Sequence, residues 1–311
     1  MDSPDEPMAP TDNRLALGQM ETTVSGLRYR RVKTADGVKL NVVEAGPLDA
    51  PPMVFVHGLA GSWEAWKGVM AAPELTSRYR LIAFDLRGHG DSGTGLKPEQ
   101  LAADGPEASS RLWSLDLDAI LAGLRSPVLV GWSFGSGVIQ SWLYTHGGPG
   151  NAQSIVLACA PNVIGPVPPG DPAEALMSPR AIMALVGAAQ DGGAFAAAIL
   201  ANDATDTSFS PQQRDSIAAI AEATPAGTVA GVLHHVIDFR PFLATMNGTE
   251  RDRITAVIAD GDQIFSSAAS EVVWEQAGIR TVHVPAAPHA LPVREPARFT
   301  QVLLEIVRQR L

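Results

Sequence analysis

The chain has 311 residues, 46% of them hydrophobic, and a formal net charge of −10, so it can bury the core of one large domain or two small ones. The acidic balance and the lack of any basic run exclude nucleic acid and anionic membranes as partners, because both require clustered Lys and Arg. The single cysteine, Cys159, cannot form an intramolecular disulfide and lies in the apolar stretch SIVLACA. We therefore expect a buried thiol in a reducing compartment and a cytoplasmic protein.

The predicted elements begin after an N-terminal tail. MDSPDEPMAPTDNR is acidic and proline-rich and lacks the pattern of a secretory signal, so we expect residues 1–25 to be disordered. LRYRRVKT and VKLNVVEAG then flank the turn Ala35-Asp36-Gly37 and predict a hairpin. Later apolar runs alternate with segments of helical spacing; the runs are MVFVHG, YRLIAFD, PVLVGW, SIVLACA, ITAVIAD and RTVHVP. This alternation predicts an α/β fold, a mostly parallel twisted sheet with helices on both faces.

The alternation stops between residues 162 and 239, where proline, glycine and Ala-rich helical segments replace the strand pattern. Because the sheet pattern resumes afterwards, we interpret 162–239 as a helical cap inserted into a core formed by 26–161 and 240–311. The insertion must then begin and end on the same face of that core. Its most apolar segment, residues 181–200, is interrupted by polar residues and glycines, so no run reaches the roughly 20 residues that cross a bilayer.

The stretch GWSFG, residues 131–135, lies between the apolar run PVLV and a helical pattern. Gly131 and Gly135 lack the Cβ atoms that would clash in a sharp strand-to-helix turn, so Ser133 can be strained and exposed at the end of a strand, where parallel sheets bind ligands. A serine hydroxyl is a weak nucleophile and needs a histidine base and an acid. The motif by itself is weak, since a chance match is plausible in a chain with 29 glycines.

Three further stretches give the motif a context. His57-Gly58 closes the run MVFV, AFDLRGHGDS closes the next strand, and His289 lies in PAAPHALPVREP after the last strand. With GWSFG, in this order, they resemble the cap-bearing members of the α/β-hydrolase superfamily, from Leu27 to the C-terminus. We assign the DLRGHGDS run to structure, as residues that hold one loop together.

The resemblance implies a role for each matching residue. Ser133 would be the nucleophile and His289 the base, while the backbone N–H groups of Leu59 and Phe134 would form the oxyanion hole. The chemistry would need no metal and no organic cofactor, because the chain itself supplies nucleophile, base and donors. The serine argues against epoxide hydrolases and haloalkane dehalogenases of this fold, which carry an aspartate at that position.

The resemblance puts the acid just beyond the strand that follows the cap, in ITAVIADGDQIF, where two aspartates compete. Asp262 is favoured because it lies past Gly261, in the loop that must reach the histidine. Asp260 directly follows the apolar run and could instead cap backbone N–H groups.

The predicted function is a serine hydrolase that cleaves a carboxylic ester or lactone through an acyl-enzyme. The predicted cap contains two basic residues, Arg180 and Arg214. Because these are too few to bind a phosphate or coenzyme A, the substrate is expected to be a neutral, apolar small molecule. Candidate pocket residues are Trp63, Trp132, Met183 and Phe209, although such side chains are more often core. The alternatives are perhydrolase or haloperoxidase activity, C–C hydrolysis or natural-product cyclisation with the same triad, and a small-molecule receptor. The sequence pattern does not indicate the oligomeric state.

Overall fold

A nine-stranded sheet runs through the computed structural model, which describes residues 21–22, 26–94, 105–164, 167–177, 219, 224 and 237–310. Its strand order is β1-β2-β3-β5-β4-β6-β7-β10-β11. The bounds are β1 (Glu21–Thr22), β2 (Arg28–Lys33), β3 (Lys39–Ala45), β4 (Pro52–Val56), β5 (Arg80–Phe84), β6 (Val128–Trp132), β7 (Ser154–Ala158), β10 (Ile254–Ala259) and β11 (Arg280–Val284).

Strands β5, β4, β6, β7, β10 and β11 are neighbours in the sheet and run parallel to one another. At one edge of the sheet, β1, β2 and β3 pair antiparallel, and β3 also pairs antiparallel with β5. The mostly parallel sheet is therefore confirmed. The predicted hairpin is present as β2 and β3, whose register pairs Lys33 with Lys39 around Gly37 at φ +93°. Within the range expected to be a disordered tail, Glu21 and Thr22 pair with β2; residues 1–20 lie outside the described part of the chain.

Helices cover both faces of the sheet, as predicted. Alternate residues of β4 point to opposite faces, so Val54 and Val56 join one apolar core and Phe55 joins the other with Trp66 and Phe299. The helices are α1 (Lys67–Met70), α2 (Pro73–Thr76), α3 (Gly105–Leu121), α4 (Phe134–His146), α5 (Arg240–Thr245), α6 (Gly248–Arg251), α7 (Ser267–Gln276), α8 (Leu291–Arg294) and α9 (Pro296–Arg308). In the ranges described, no helix combines the length and apolarity needed to cross a membrane.

Most of the predicted cap lies outside the described residues, but its two ends do not. β8 (Val163–Ile164) pairs antiparallel with β9 (Ile237–Asp238), and the Phe239 N–H donates to the Asn162 carbonyl over 2.9 Å. The sequence pattern showed no strand here; the two short strands form because the chain leaves and rejoins the core at neighbouring points. Arg240 binds Asp171 and Asp238 with N–O distances of 2.8 and 2.7 Å across this junction.

Candidate active site

The nucleophile candidate lies on a strained turn between β6 and α4. Ser133 has φ 53° and ψ −121°, a conformation that L-residues seldom adopt. A Cβ on Gly135 would overlap the backbone oxygens of Val56 and His57, and one on Gly131 would approach the Ser136 nitrogen to 2.6 Å. Gly135 therefore lets α4 approach the end of β4, and Gly131 lets the chain turn tightly from β6 into α4.

The structure brings Ser133, His289 and Asp262 together at the carboxyl edge of the sheet. Nε2 of His289 lies 3.0 Å from Oγ of Ser133, and Nδ1 lies 2.8 Å from Oδ2 of Asp262. A carboxylate only accepts hydrogen bonds, so Nδ1 carries a proton and its N–H donates a hydrogen bond to Asp262. The lone pair of Nε2 then faces the serine hydroxyl, as a general base requires.

Two backbone donors fix the carboxylate of Asp262. Its Oδ1 accepts hydrogen bonds from the N–H groups of Ile264 at 2.7 Å and Phe265 at 3.0 Å, which leaves Oδ2 for His289. The side chains of both Asp262 and His289 are buried, with 3% and 4% of their surface exposed.

Asp260 has a different partner. Its carboxylate accepts from Nδ1 of His283 at 2.6 Å, and one third of the side chain is exposed. The alternative role considered for this carboxylate was to cap backbone N–H groups. Asp260 instead directly follows β10, and its carboxylate binds the imidazole of His283 on β11. Of the two aspartates, Asp262 is the one that contacts His289.

The turn after β4 lies against the nucleophile. A Cβ on Gly58 would come within 3.4 Å of the Ser133 Cβ. Among the residues described, the N–H groups of Leu59 and Phe134 have no hydrogen-bond partner. Two unused donors beside the serine fit what an oxyanion hole requires.

The loop that follows β5 makes the contacts of a structural element, as expected. Buried Asp85 accepts from the Trp63 N–H at 2.7 Å and from the Asn41 amide at 3.0 Å. The Arg87 guanidinium is fully buried between Asp36 and Asp116, with N–O distances of 2.7 Å to both. This loop packs beside the His57 turn: the backbone N–H of its Leu86 donates to His57 Nε2 at 3.0 Å, and His57 Nδ1 donates to the Gly58 carbonyl at 2.7 Å.

Two buried histidines give the protein a predicted acid sensitivity. Burial lowers the pKa of His57 to about 4 and, with His57 nearby, that of His89 to about 3. In the unfolded chain both histidines have pKa values near 6.5, so as the pH falls they are protonated there before they are protonated in the folded protein. The free energy of unfolding should therefore drop below about pH 6.5, by at most about 1.4 kcal/mol per pH unit for each histidine.

Denaturant unfolding between pH 7 and 4.5, in wild type and in His89→Phe, measures this dependence. The variant should show the shallower slope, because one titrating group has been removed. An unchanged slope would contradict the assignment of His89 as a buried neutral group.

The predicted pocket residues separate into two groups. Trp63 and Trp132 belong to the buried core, with 8% and 5% of their surfaces exposed. Trp63 packs edge-on against Tyr29 at 5.9 Å. Met183 and Phe209 lie outside the described residues, so the pocket stays a prediction.

Sequence reasoning did not identify two neighbours of the base. The Phe265 ring lies 5.5 Å from that of His289, and the indole N–H of Trp132 donates to the His289 carbonyl over 2.7 Å. The position of Phe265, three residues after Asp262, was the available signal for the first. In the described ranges no three His, Cys, Asp or Glu side chains form a metal-binding group.

Comparison with known proteins agrees with this architecture. The chain is 33% identical over 135 residues to a non-heme chloroperoxidase of Burkholderia pyrrocinia, covering 42% of this chain and 45% of that protein. The chain therefore matches less than half the length of this curated relative.

Solved structures match over much more of the chain. An esterase from Rhodococcus aligns with TM-score 0.74 and 24% identity over 90% of this chain and 98% of the other. An enol-lactonase from Burkholderia xenovorans aligns with TM-score 0.67 and 18% identity over 89% and 99%. At these identities the likeness concerns the fold alone. The sequence pattern of the alpha/beta hydrolase family matches residues 53–302, and the chain belongs to that family.

Proposed function

We propose that the protein is a serine hydrolase that cleaves a carboxylic ester or a lactone of a neutral, apolar small molecule. The observation that carries the proposal is the chain of two contacts, 3.0 Å from Ser133 Oγ to His289 Nε2 and 2.8 Å from His289 Nδ1 to Asp262. A hydroxyl, a base and an orienting acid in this order perform acyl transfer on several unrelated folds.

The first half of the reaction forms an acyl-enzyme. Ser133 Oγ attacks the carbonyl carbon while His289 Nε2 takes the hydroxyl proton. The oxyanion that develops accepts hydrogen bonds from the N–H groups of Leu59 and Phe134, and one such donor is worth roughly 3 to 4 kcal/mol. The imidazolium then gives its proton to the leaving alkoxide, so an ester releases its alcohol and a lactone opens to a tethered hydroxyl.

The second half restores the enzyme. His289 takes a proton from water, the hydroxide attacks the acyl carbon, and the carboxylic acid leaves as Ser133 regains its proton. Asp262 orients the imidazole and stabilises the imidazolium that forms twice in the cycle.

A second candidate function uses the same acyl-enzyme. Hydrogen peroxide in place of water would release a peracid and free Ser133, and the similarity to a chloroperoxidase favours testing it. The comparison is direct: acyl transfer from one ester to water and to peroxide, with peracid measured as the product. A higher rate constant to peroxide would make perhydrolysis the better description.

We also propose that residues 162–239 form a helical cap that selects the substrate. The pairing of β8 with β9 supports it, because both ends of the segment meet at one place on the core. The cytoplasmic location is likewise proposed, on the strength of the lone Cys159, which is a buried free thiol.

A substrate screen tests the proposed function. p-Nitrophenyl esters of graded acyl length, several lactones and a coenzyme A thioester are assayed with wild type and Ser133→Ala, with and without EDTA. We expect kcat/KM to rise with acyl length, because each methylene that is buried lowers the free energy of the transition state by about 1 to 3 kcal/mol at most. EDTA should leave the rate unchanged, and Ser133→Ala should lower it about 10⁴- to 10⁶-fold. A thioester that outperforms every neutral ester, or a rate that depends on metal, would contradict the proposal.

A further inference from the structure

His289, the candidate base, is held by a second buried hydrogen bond besides the one to Asp262. The indole N–H of Trp132 donates to the backbone carbonyl of His289 over 2.7 Å, and both groups are buried. The two rings also pack together, with centroids 5.9 Å apart. Phe265 lies against the imidazole at 5.5 Å.

The loop that carries His289 has little support of its own at this residue. In the described part of the chain, no backbone–backbone hydrogen bond engages the N–H or the carbonyl of His289. The Trp132 indole is therefore the hydrogen-bond partner that the structure gives this carbonyl. A buried carbonyl without a partner is unfavourable, so the loop is bound where that indole lies.

Trp132 is itself rigidly placed beside the nucleophile. It ends β6, pairs with Ala158 of β7, and directly precedes Ser133, whose N–H donates to the Ala158 carbonyl over 2.8 Å. His289 follows Trp132 by 157 positions, and β7 and β10 lie between β6 and β11 in the sheet. One hydrogen bond thus connects the strand of the nucleophile to the loop of the base.

We propose that Trp132 is a positioning residue that sets the 3.0 Å separation between Ser133 Oγ and His289 Nε2 by holding the His289 carbonyl. This inference rests on the proposed function. Trp132 acts through the base and is buried, so it controls kcat while leaving KM almost unchanged. Misplacement of a reacting group by about 1 Å can cost on the order of 100-fold in rate.

Trp132→Phe tests the inference, because it removes the N–H and keeps an aromatic ring. We expect kcat for a p-nitrophenyl ester to fall about 10- to 100-fold, with KM within about threefold of wild type. The matched control is Trp66→Phe. Trp66 belongs to the same core cluster and is fully buried, and its indole nitrogen is without a hydrogen-bond partner among the described residues. The control should keep the wild-type kcat.

The same change in a His289→Ala background separates positioning from general damage. If Trp132 acts through the base, Trp132→Phe should leave the residual rate of His289→Ala unchanged, since the two residues belong to one unit. An equal fold-loss in both backgrounds would overturn the inference, as would an unchanged kcat in the single variant.

Two further measurements cover the remaining outcomes. Trp132→Tyr, which also lacks the indole N–H, replaces the Phe variant if circular dichroism shows that the latter is unfolded, and the same loss is expected. The rate constant for fluorophosphonate labelling of Ser133 should fall in parallel with kcat. A wild type without Ser133-dependent hydrolysis would refute the proposed function, whereas an active wild type and an equally active Trp132→Phe would refute this inference alone.

Discussion

Ser133→Ala and His289→Ala are each expected to lower kcat about 10⁴- to 10⁶-fold, and the double variant should lose no more than the worse single one. The reason is the 3.0 Å contact between Oγ and Nε2, through which the two side chains perform a single proton transfer. Once either is absent the other has nothing to act on. Residual turnover would come from binding and the oxyanion donors.

Matched variants exist for both residues. Ser136→Ala removes a buried hydroxyl that donates to the Ala158 carbonyl over 3.2 Å, and His283→Ala removes an imidazole that binds Asp260. Both should keep kcat close to wild type. A fluorophosphonate probe should label Ser133 in wild type and in both controls. Labelling at another serine, or losses that multiply in the double variant, would show that the assigned pair does not act as a unit.

Asp262→Asn should lower kcat by at least about 100-fold and up to roughly 10⁴-fold, with the fold retained. In the variant the amide oxygen is expected to stay on the Ile264 and Phe265 N–H groups, which bind Oδ1 in the native chain. The amide NH₂ then replaces Oδ2 and faces Nδ1 of His289. A donor in that place forces the proton onto Nε2, so the base presents the wrong tautomer to Ser133.

Asp260→Asn is the matched control, and it should keep the wild-type kcat. Its contact with His283 leaves about one third of each side chain exposed, and surface contacts of this kind contribute about 0 to 1 kcal/mol to stability. Both variants are assayed for kcat and for melting temperature. Loss of activity in Asp260→Asn at unchanged stability, with Asp262→Asn active, would reverse the assignment.

The choice between the two aspartates shows where sequence reasoning reaches its limit. Both follow the same apolar run two positions apart, and local pattern can only order them by distance from the strand. Their partners are assigned when β10 and β11 pair in parallel, with Ala259 opposite Val284. That register sets Asp260 beside His283, while the loop beyond Gly261 takes Asp262 to His289.

The contact of Trp132 with His289 could not be predicted from pattern either. The first residue is the variable position inside GWSFG, and the second follows it by 157 positions. An apolar pocket was the expected role for this indole. The indole instead contacts the His289 loop, an arrangement that depends on the order β6-β7-β10-β11 in the sheet.

The sequence by itself determined the parallel sheet with helices on both faces and the need for glycine at positions 131 and 135 around Ser133. These follow from short-range properties, namely apolar periodicity and the clash of a Cβ with nearby backbone. Only the tertiary structure decided which aspartate contacts His289, and which side chain binds the carbonyl of that residue. Those contacts join residues 27 and 157 positions apart, and distant groups meet only after strand order and register are set.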